Sequence, residues 1–269
     1  MTATLASLHI YPVKGIKGIE LDQARVTARG LEHDRRFLVV DPAGEFFTQR
    51  EHPQMATIWT EVADGELRLS APDFDEVALP VAPTAGDAMR VRIWRSMCDA
   101  IAPSREADRW LTEFLGTPCR LVFMPESTRR DTNPQYGGEG HIVSFADGYP
   151  YLVAALASLE ELNSRLAVKL PMNRFRPNLV VAGTTAWDED AWGDFRVGDT
   201  AFRIAKPCGR CQVTTTDQAT GEVRGPEPLA TLSTYRDSQE FGVLFGMNAI
   251  SLAEGVVRVG MPVIPARKA

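Results

Sequence analysis

Lys206-Pro207-Cys208-Gly209-Arg210-Cys211-Gln212-Val213-Thr214-Thr215 is the stretch from which the rest of this chain is best read. Two thiols three positions apart, in a protein with 4 cysteines, ask for a metal, a disulfide or a redox role. A redox pair of the thioredoxin kind opens a helix, whose dipole and free backbone N–H groups stabilise the thiolate. Here Val213-Thr214-Thr215-Thr216 is β-branched and poor helix material, and it runs into Asp217-Gln218-Ala219-Thr220-Gly221, a turn composition. The pair is therefore expected at the start of a strand. A closed zinc site wants four Cys or His ligands, usually as two close pairs. Cys98 and Cys119 stand apart, and His9, His33, His52 and His141 are scattered, so the pair supplies half a zinc site at best. Cys98 and Cys119 read as small buried hydrophobes. For Cys211 two readings stay open: a buried hydrophobe, or a single thiolate on a soft metal held mainly by an organic cofactor.

Upstream of the pair, Phe195-Arg196-Val197, a Gly198-Asp199 turn and residues 201–205 make the hairpin that delivers it. Asn178 to Val181 reads as a buried strand. Ser158-Leu159-Glu160-Glu161 has the pattern of a capping box opening a helix whose Leu159, Leu162 and Leu166 face inward. The first hundred residues read as a β-meander. Phe37 to Val40 turns through Asp41-Pro42-Ala43-Gly44 into Glu45 to Thr48, and Thr57 to Val62 turns at Asp64-Gly65 into Glu66 to Ser70. Met89 to Trp94 alternates Arg with apolar residues. A helix is expected over 104–115, with Ala107, Trp110, Leu111 and Phe114 on one face and Gly116 as its stop, followed by a strand at 119–123. Pro125 to Gly140 is polar loop, and Val256 to Val263 reads as two short closing strands. The expectation is a mainly β protein with a few short helices.

A net charge of −6 argues against nucleic acid as the main partner. With 44% hydrophobic and 24% charged residues the composition is that of an ordinary globular chain. No stretch approaches the ~20 apolar residues of a membrane span, and Met1 to Ser7 lacks the basic start and apolar run of a signal peptide. The expected compartment is a reducing cytosol, with no membrane association.

With these elements placed, the sequence resembles the MOSC-domain superfamily. The residues that carry the resemblance are Tyr11-Pro12-Val13-Lys14-Gly15, Asp34-Arg35-Arg36-Phe37, Asp147-Gly148-Tyr149-Pro150, Asn173-Arg174-Phe175-Arg176-Pro177-Asn178, and Pro207 to Cys211 continuing to Asp217. The resemblance implies a β-barrel core in two intertwined subdomains, an N-terminal β-barrel domain over 1–123 and a MOSC domain over 124–269. Within the superfamily the chain is similar to the amidoxime-reducing component and its bacterial relatives, which bind molybdenum on a single pyranopterin dithiolene and reduce N-hydroxylated compounds. The resemblance implies that Cys211 is the protein ligand to molybdenum. Lys14, Arg36, Arg176 and Asn178 would hold the pterin and its phosphate, with Gly15, Gly148, Gly209 and Arg210 beside them. Asp147 would lie near the metal, where a carboxylate orients substrate or relays protons.

Those roles suit the residue types. A polarizable thiolate fits a coordination sphere shared with dithiolene sulfurs, and Lys and Arg are the side chains that take phosphate. Arg210 is expected to favour the Cys211 thiolate. Gly15 replaces a hydroxyl residue of some relatives, and Tyr149 is bulkier than the residue usual there and narrows the expected substrate mouth. The chain is read as lacking the targeting segment and anchor of mitochondrial members and the ferredoxin-like domain fused to some bacterial ones. Electrons are then expected from a separate donor, ferredoxin-like or cytochrome b5-like with a flavin reductase. Two other readings are weighed: a cofactor carrier or sulfur-transfer protein working through a Cys211 persulfide, and a zinc-stabilised binding module.

Overall fold

The strand Tyr151–Ala155 is buried at every position, because apolar layers cover both of its faces. Tyr151 and Val153 enter one cluster with Leu8, Leu179 and Met247, and Ala154 enters a smaller one built on Leu162, Phe175 and Phe245. In the computed structural model, which describes residues 2–268, this strand lies inside a 9-stranded sheet. The strand order is Val263–Arg267, Trp192–Val197, Thr200–Gly209, Gly242–Ser251, Tyr151–Ala155, Leu179–Ala182, Thr4–Ile10, Ile19–Leu21, with Asp237–Ser238 paired to Gly242–Ser251. Tyr151–Ala155 and Leu179–Ala182 pair in parallel, and their crossover carries the helix Leu156–Arg165, as parallel neighbours require. The N-terminal strand Thr4–Ile10 pairs with Leu179–Ala182, so the first residues of the chain are built into the sheet that carries the Cys-x-x-Cys segment.

The expected β-barrel is not formed. The ladder runs open from Val263–Arg267 to Ile19–Leu21. Between its first and last segments the chain makes the isolated bridge Thr4 to Pro262, with the Leu5 and Val263 N–H groups donating to the Met261 and Ala3 carbonyls, and among the described residues no strand ladder continues from it. The remaining strands form a 4-stranded sheet and two 3-stranded sheets, each also open. The mainly β character with a few short helices stands.

Local chemistry explains which elements appear. Trp59–Ala63 and Glu66–Ala71 form the expected hairpin, with Asp64 and Gly65 both in the left-handed region at φ 53° and 79°, as a two-residue turn demands. Arg105–Leu115 is helical, capped by the Ser104 hydroxyl accepting from the Ala107 N–H at 3.1 Å and closed by Gly116 at φ 69°. Two expectations change. The return arm at Glu45 to Thr48 forms no regular ladder: Phe46 bridges Val40 on the free side of Phe37–Val40, while its neighbour Glu45 turns to bridge Arg92 of Asp87–Ile93. Ser158 caps nothing: it is buried inside the helix and donates to the buried Glu189 carboxylate at 2.8 Å. Glu189 in turn accepts from the Ala155 N–H at 3.2 Å, serving the start of this helix from a remote loop.

Leu179, fully buried between Leu8 and Val153, should cost about 2–5 kcal/mol when cut to alanine. Urea unfolding should show a lower midpoint with an unchanged slope.

Candidate functional site

The strand Thr200–Gly209 ends the hairpin that begins at Trp192, and it is irregular where it matters. Its pairing with Gly242–Ser251 slips between Ile204 and Lys206 and again between Pro207 and Gly209. Such bulges bend a strand and re-aim its side chains. Gly246, at φ 73°, lies opposite the second slip, and a Cβ there would sit 2.7 Å from the Val153 carbonyl oxygen. Gly209 is held closer still: a Cβ would lie 2.0 Å from the Phe241 carbonyl oxygen.

The thiols therefore stand at the end of a strand, not at the start of one. Cys208 belongs to the strand, and Cys211 leads into the single 3-10 turn Gln212–Thr215. The threonines make this turn by bonding back to the chain. Thr214 donates to the Cys211 carbonyl at 2.9 Å and Thr215 to the Gln212 carbonyl at 2.8 Å, which offers the backbone an alternative to extended pairing. Arg174, almost fully buried, fixes the turn from outside by donating to the Thr215 carbonyl at 2.8 Å and to Asp217 at 3.1 Å.

Both thiols line a solvent-open cavity. Its cationic side chains are Lys14, Arg35, Arg50, Arg176 and Arg210, and Asp147 is the carboxylate that faces them. Gly15, Gly148 and Asn178 line it too. Arg36 does not reach it. That side chain lies over the Phe123 ring, pairs with Glu126 at 2.5 Å and lines a different depression. Its neighbour Arg35 is the arginine that enters the cavity, because Arg35 sits at φ 48° and the left-handed residue turns the alternation over. No sequence signal chooses between two adjacent arginines.

Arg35 and Arg176 both lie over the buried Tyr11 ring, at 4.4 and 4.1 Å. Arg35 donates to Asp34 at 2.6 Å, to the Asn178 side-chain oxygen at 3.1 Å and to the Arg176 carbonyl at 3.2 Å. Asn178 is thus spent on the protein, since its oxygen also accepts from the Leu152 N–H and its NH2 donates to the His9 carbonyl. Arg176 donates to the Ile16 carbonyl at 2.7 Å and to Gln218 at 3.3 Å. Burial without an ion-pair partner among the described residues pulls its guanidinium down to about 10. Burial also pushes the Tyr11 phenol up to about 12, against the nearby arginine charges.

Asp147 sits in a loop stitched down by Arg130, which the sequence reading missed. The Arg130 guanidinium, 7% exposed, donates to the carbonyls of Ser144, Ala146 and Asp147 at 2.8, 2.5 and 2.7 Å. One Asp147 carboxylate oxygen accepts from Lys14 and from the Trp94 indole N–H, the latter at 2.9 Å. Desolvation favours the neutral acid, but the Lys14 charge and hydrogen bond, with that of Trp94, outweigh it and hold the carboxyl below its usual range. Burial draws Lys14 itself below the usual lysine value, partly offset by Asp147. Asp147 is therefore built as a hydrogen-bond acceptor and orienting anion.

Arg210 contacts the first thiol. It donates to Cys208 sulfur at 2.9 Å and to the Phe175 carbonyl at 2.8 Å, and its Nε is buried without a partner. The arginine beside Cys211 is Arg50, whose guanidinium is held above its usual value chiefly by the nearness of that sulfur. Arg50 also lies 5.1 Å over the Trp94 ring. Among the described residues no three Cys, His, Asp or Glu side chains gather to hold a metal, so an ion bound at Cys211 would need further ligands from a non-protein group. Excess buried positive charge, an orphaned guanidinium nitrogen and a reachable thiol fit a group with a phosphate and a soft metal centre.

Two family descriptions match the chain, the MOSC N-terminal beta barrel domain over residues 2–118 and the MOSC domain over residues 140–264. The chain belongs to the MOSC-domain superfamily. This MOSC chain is closely related to the amidoxime-reducing components. It is 34% identical over 276 residues to mitochondrial amidoxime-reducing component 1 of Mus musculus, covering 97% of this chain and 81% of the relative. The Homo sapiens component 1 is 34% identical over 277 residues, covering 97% and 82%. A solved Bacillus subtilis structure, the YUAD protein, aligns over 100% of this chain and 98% of its own at 11% identity and a TM-score of 0.44. Both amidoxime-reducing relatives are named mitochondrial, which overturns the expectation of a cytosolic protein. No helix among the described residues is long and apolar enough to cross a membrane.

In this MOSC site Gly209→Ala should cost about 1–3 kcal/mol, since the carbonyl of Phe241 has to move, and should speed thiol labelling of the folded protein. Asp147→Asn gives a pH test. A carboxyl held below its unfolded value contributes stability above about pH 4, and this fades as the pH falls through the folded value. The melting-temperature gap between wild type and Asp147→Asn should therefore be present at pH 7 and narrow steadily as the pH falls below about 4. A gap that does not narrow there would refute the ion pair.

Proposed function

We propose that this protein is a molybdenum-cofactor-dependent reductase of N-hydroxylated compounds such as amidoximes, supplied with electrons by a separate donor protein. The observation that carries the reading is the half-buried Cys211 thiol on the wall of a cavity whose cationic side chains outnumber its carboxylate. Its relatives' names, amidoxime-reducing components at 34% identity, supply the substrate class.

The pyranopterin-bound molybdenum would supply two-electron chemistry, by which R–N–OH with two electrons and two protons becomes R–N–H and water. The protein's part is binding and electrostatics. Cys211 holds the metal as a thiolate, a soft ligand suited to a sulfur-rich sphere. Lys14, Arg35, Arg176 and Arg210 converge on the same cavity and take the phosphate and the pterin edge. Asn178 acts at one remove, through Arg35. Asp147, kept ionised by Lys14 and Trp94, accepts a hydrogen bond from the substrate N–OH and orients it.

Elemental analysis tests this directly. Protein made in a host able to synthesise the cofactor should hold near-stoichiometric molybdenum. Cys211→Ala should lose it together with amidoxime reduction, and Cys208→Ala should keep it. A folded wild type without molybdenum would sink the reading, and sulfane sulfur on Cys211 in such a protein would point to sulfur transfer instead.

A further inference from the structure

The cations of the cavity are not equivalent. Arg176 is buried, Lys14 is paired with Asp147, and Arg35 and Arg210 are partly buried and bonded to Asp34, Asn178, Cys208 and backbone carbonyls. Arg50 is exposed. It lines the cavity with Cys211 and lies on Trp94, so its charge is the one a molecule arriving from solvent meets near that thiol. Glu51 follows it in the chain but lines no part of the cavity.

Trp94 fixes this arrangement. It stands at φ 53° at the tip of the hairpin between Asp87–Ile93 and Ser96–Ala102, with Phe46 packed edge-on at 4.8 Å. Its indole N–H holds Asp147 while its ring seats Arg50. One oxygen of the carboxylate that could attract a cation is thereby engaged, and five cationic side chains outnumber it in the cavity.

N-hydroxylation changes the charge of a strong nitrogen base. The electron-withdrawing oxygen lowers basicity, so an amidoxime is uncharged near neutral pH, whereas the amidine left after its reduction is protonated. We propose that Arg50, seated on Trp94, selects the uncharged N-hydroxylated substrate and turns away its cationic product, which rests on the reductase reading above. Product leaves because it acquires a charge that the mouth repels. Trp94 is a positioning residue in this scheme.

Calorimetry with benzamidoxime and benzamidine, on wild type, Arg50→Gln, Arg50→Lys and Trp94→Leu, tests it without requiring turnover. Wild type should bind the neutral oxime at least about tenfold more tightly than the cation, and added salt should narrow the gap. Arg50→Gln should tighten benzamidine about tenfold and leave benzamidoxime nearly unchanged, Arg50→Lys should restore the wild-type ratio, and Trp94→Leu should weaken the discrimination. Benzamidine affinity unchanged in Arg50→Gln, or both ligands weakened alike, would overturn the proposal. Failure of the reductase reading shows separately, as a wild type without molybdenum or turnover, and the calorimetric ratio still decides the role of Arg50.

Discussion

Buried guanidinium groups hold this site together. A charged side chain taken out of water has to find partners for its N–H groups, and here they are mostly backbone carbonyls from segments distant in sequence. Arg130 ties Ser144, Ala146 and Asp147; Arg174 ties Thr214 and Thr215; Arg176 ties Ile16; Arg35 ties Arg176. Carbonyls of irregular loops are what strands and helices leave unpaired. Each arginine thus converts a loop with no ladder of its own into a fixed wall. Arg35 and Arg176 sharing the face area of Tyr11 joins the N-terminal segment to the second half of the chain at the cavity.

The same constraint sets the chemistry. Guanidinium groups bonded to carbonyls keep their positive charge uncancelled, so a cavity walled by them is electropositive even though the protein as a whole carries a net charge of −6. One carboxylate, Asp147, stands in that field and is stabilised as an anion. The thiols meet two different arginines, Cys208 with Arg210 and Cys211 with Arg50. The two sulfurs of the tetrapeptide are therefore in unlike surroundings, consistent with one of them being given the ligand role proposed for Cys211.

Much of the fold was legible because its signals are local. The Asp64-Gly65 hairpin, the helix capped by Ser104 and stopped by Gly116, and the strand running to the thiols follow from turn chemistry, periodicity and caps within a few residues. The misread elements are those in which a distant group took over. Glu189 replaced Ser158 at the start of a helix, Arg174 and the threonine hydroxyls curled the run after Cys211, and Arg92 drew Glu45 away from a regular return arm.

By itself the sequence determined a mainly β chain, the hairpin that delivers the tetrapeptide, and the residue types, thiol, lysine and arginine, from which the cavity is made. Tertiary structure decided which of them face it. Arg35 enters and Arg36 turns away because a positive φ at Arg35 reverses the alternation, and Arg50 from a turn and Trp94 from a hairpin tip reach the cavity of Cys211 and Asp147 from more than fifty positions upstream. The open ladder in place of a barrel was decided in the same way, by which strands found partners across the fold. Local pattern reports the periodicity of a segment; the partner of a buried charge is set by packing, and packing is not written in any one segment.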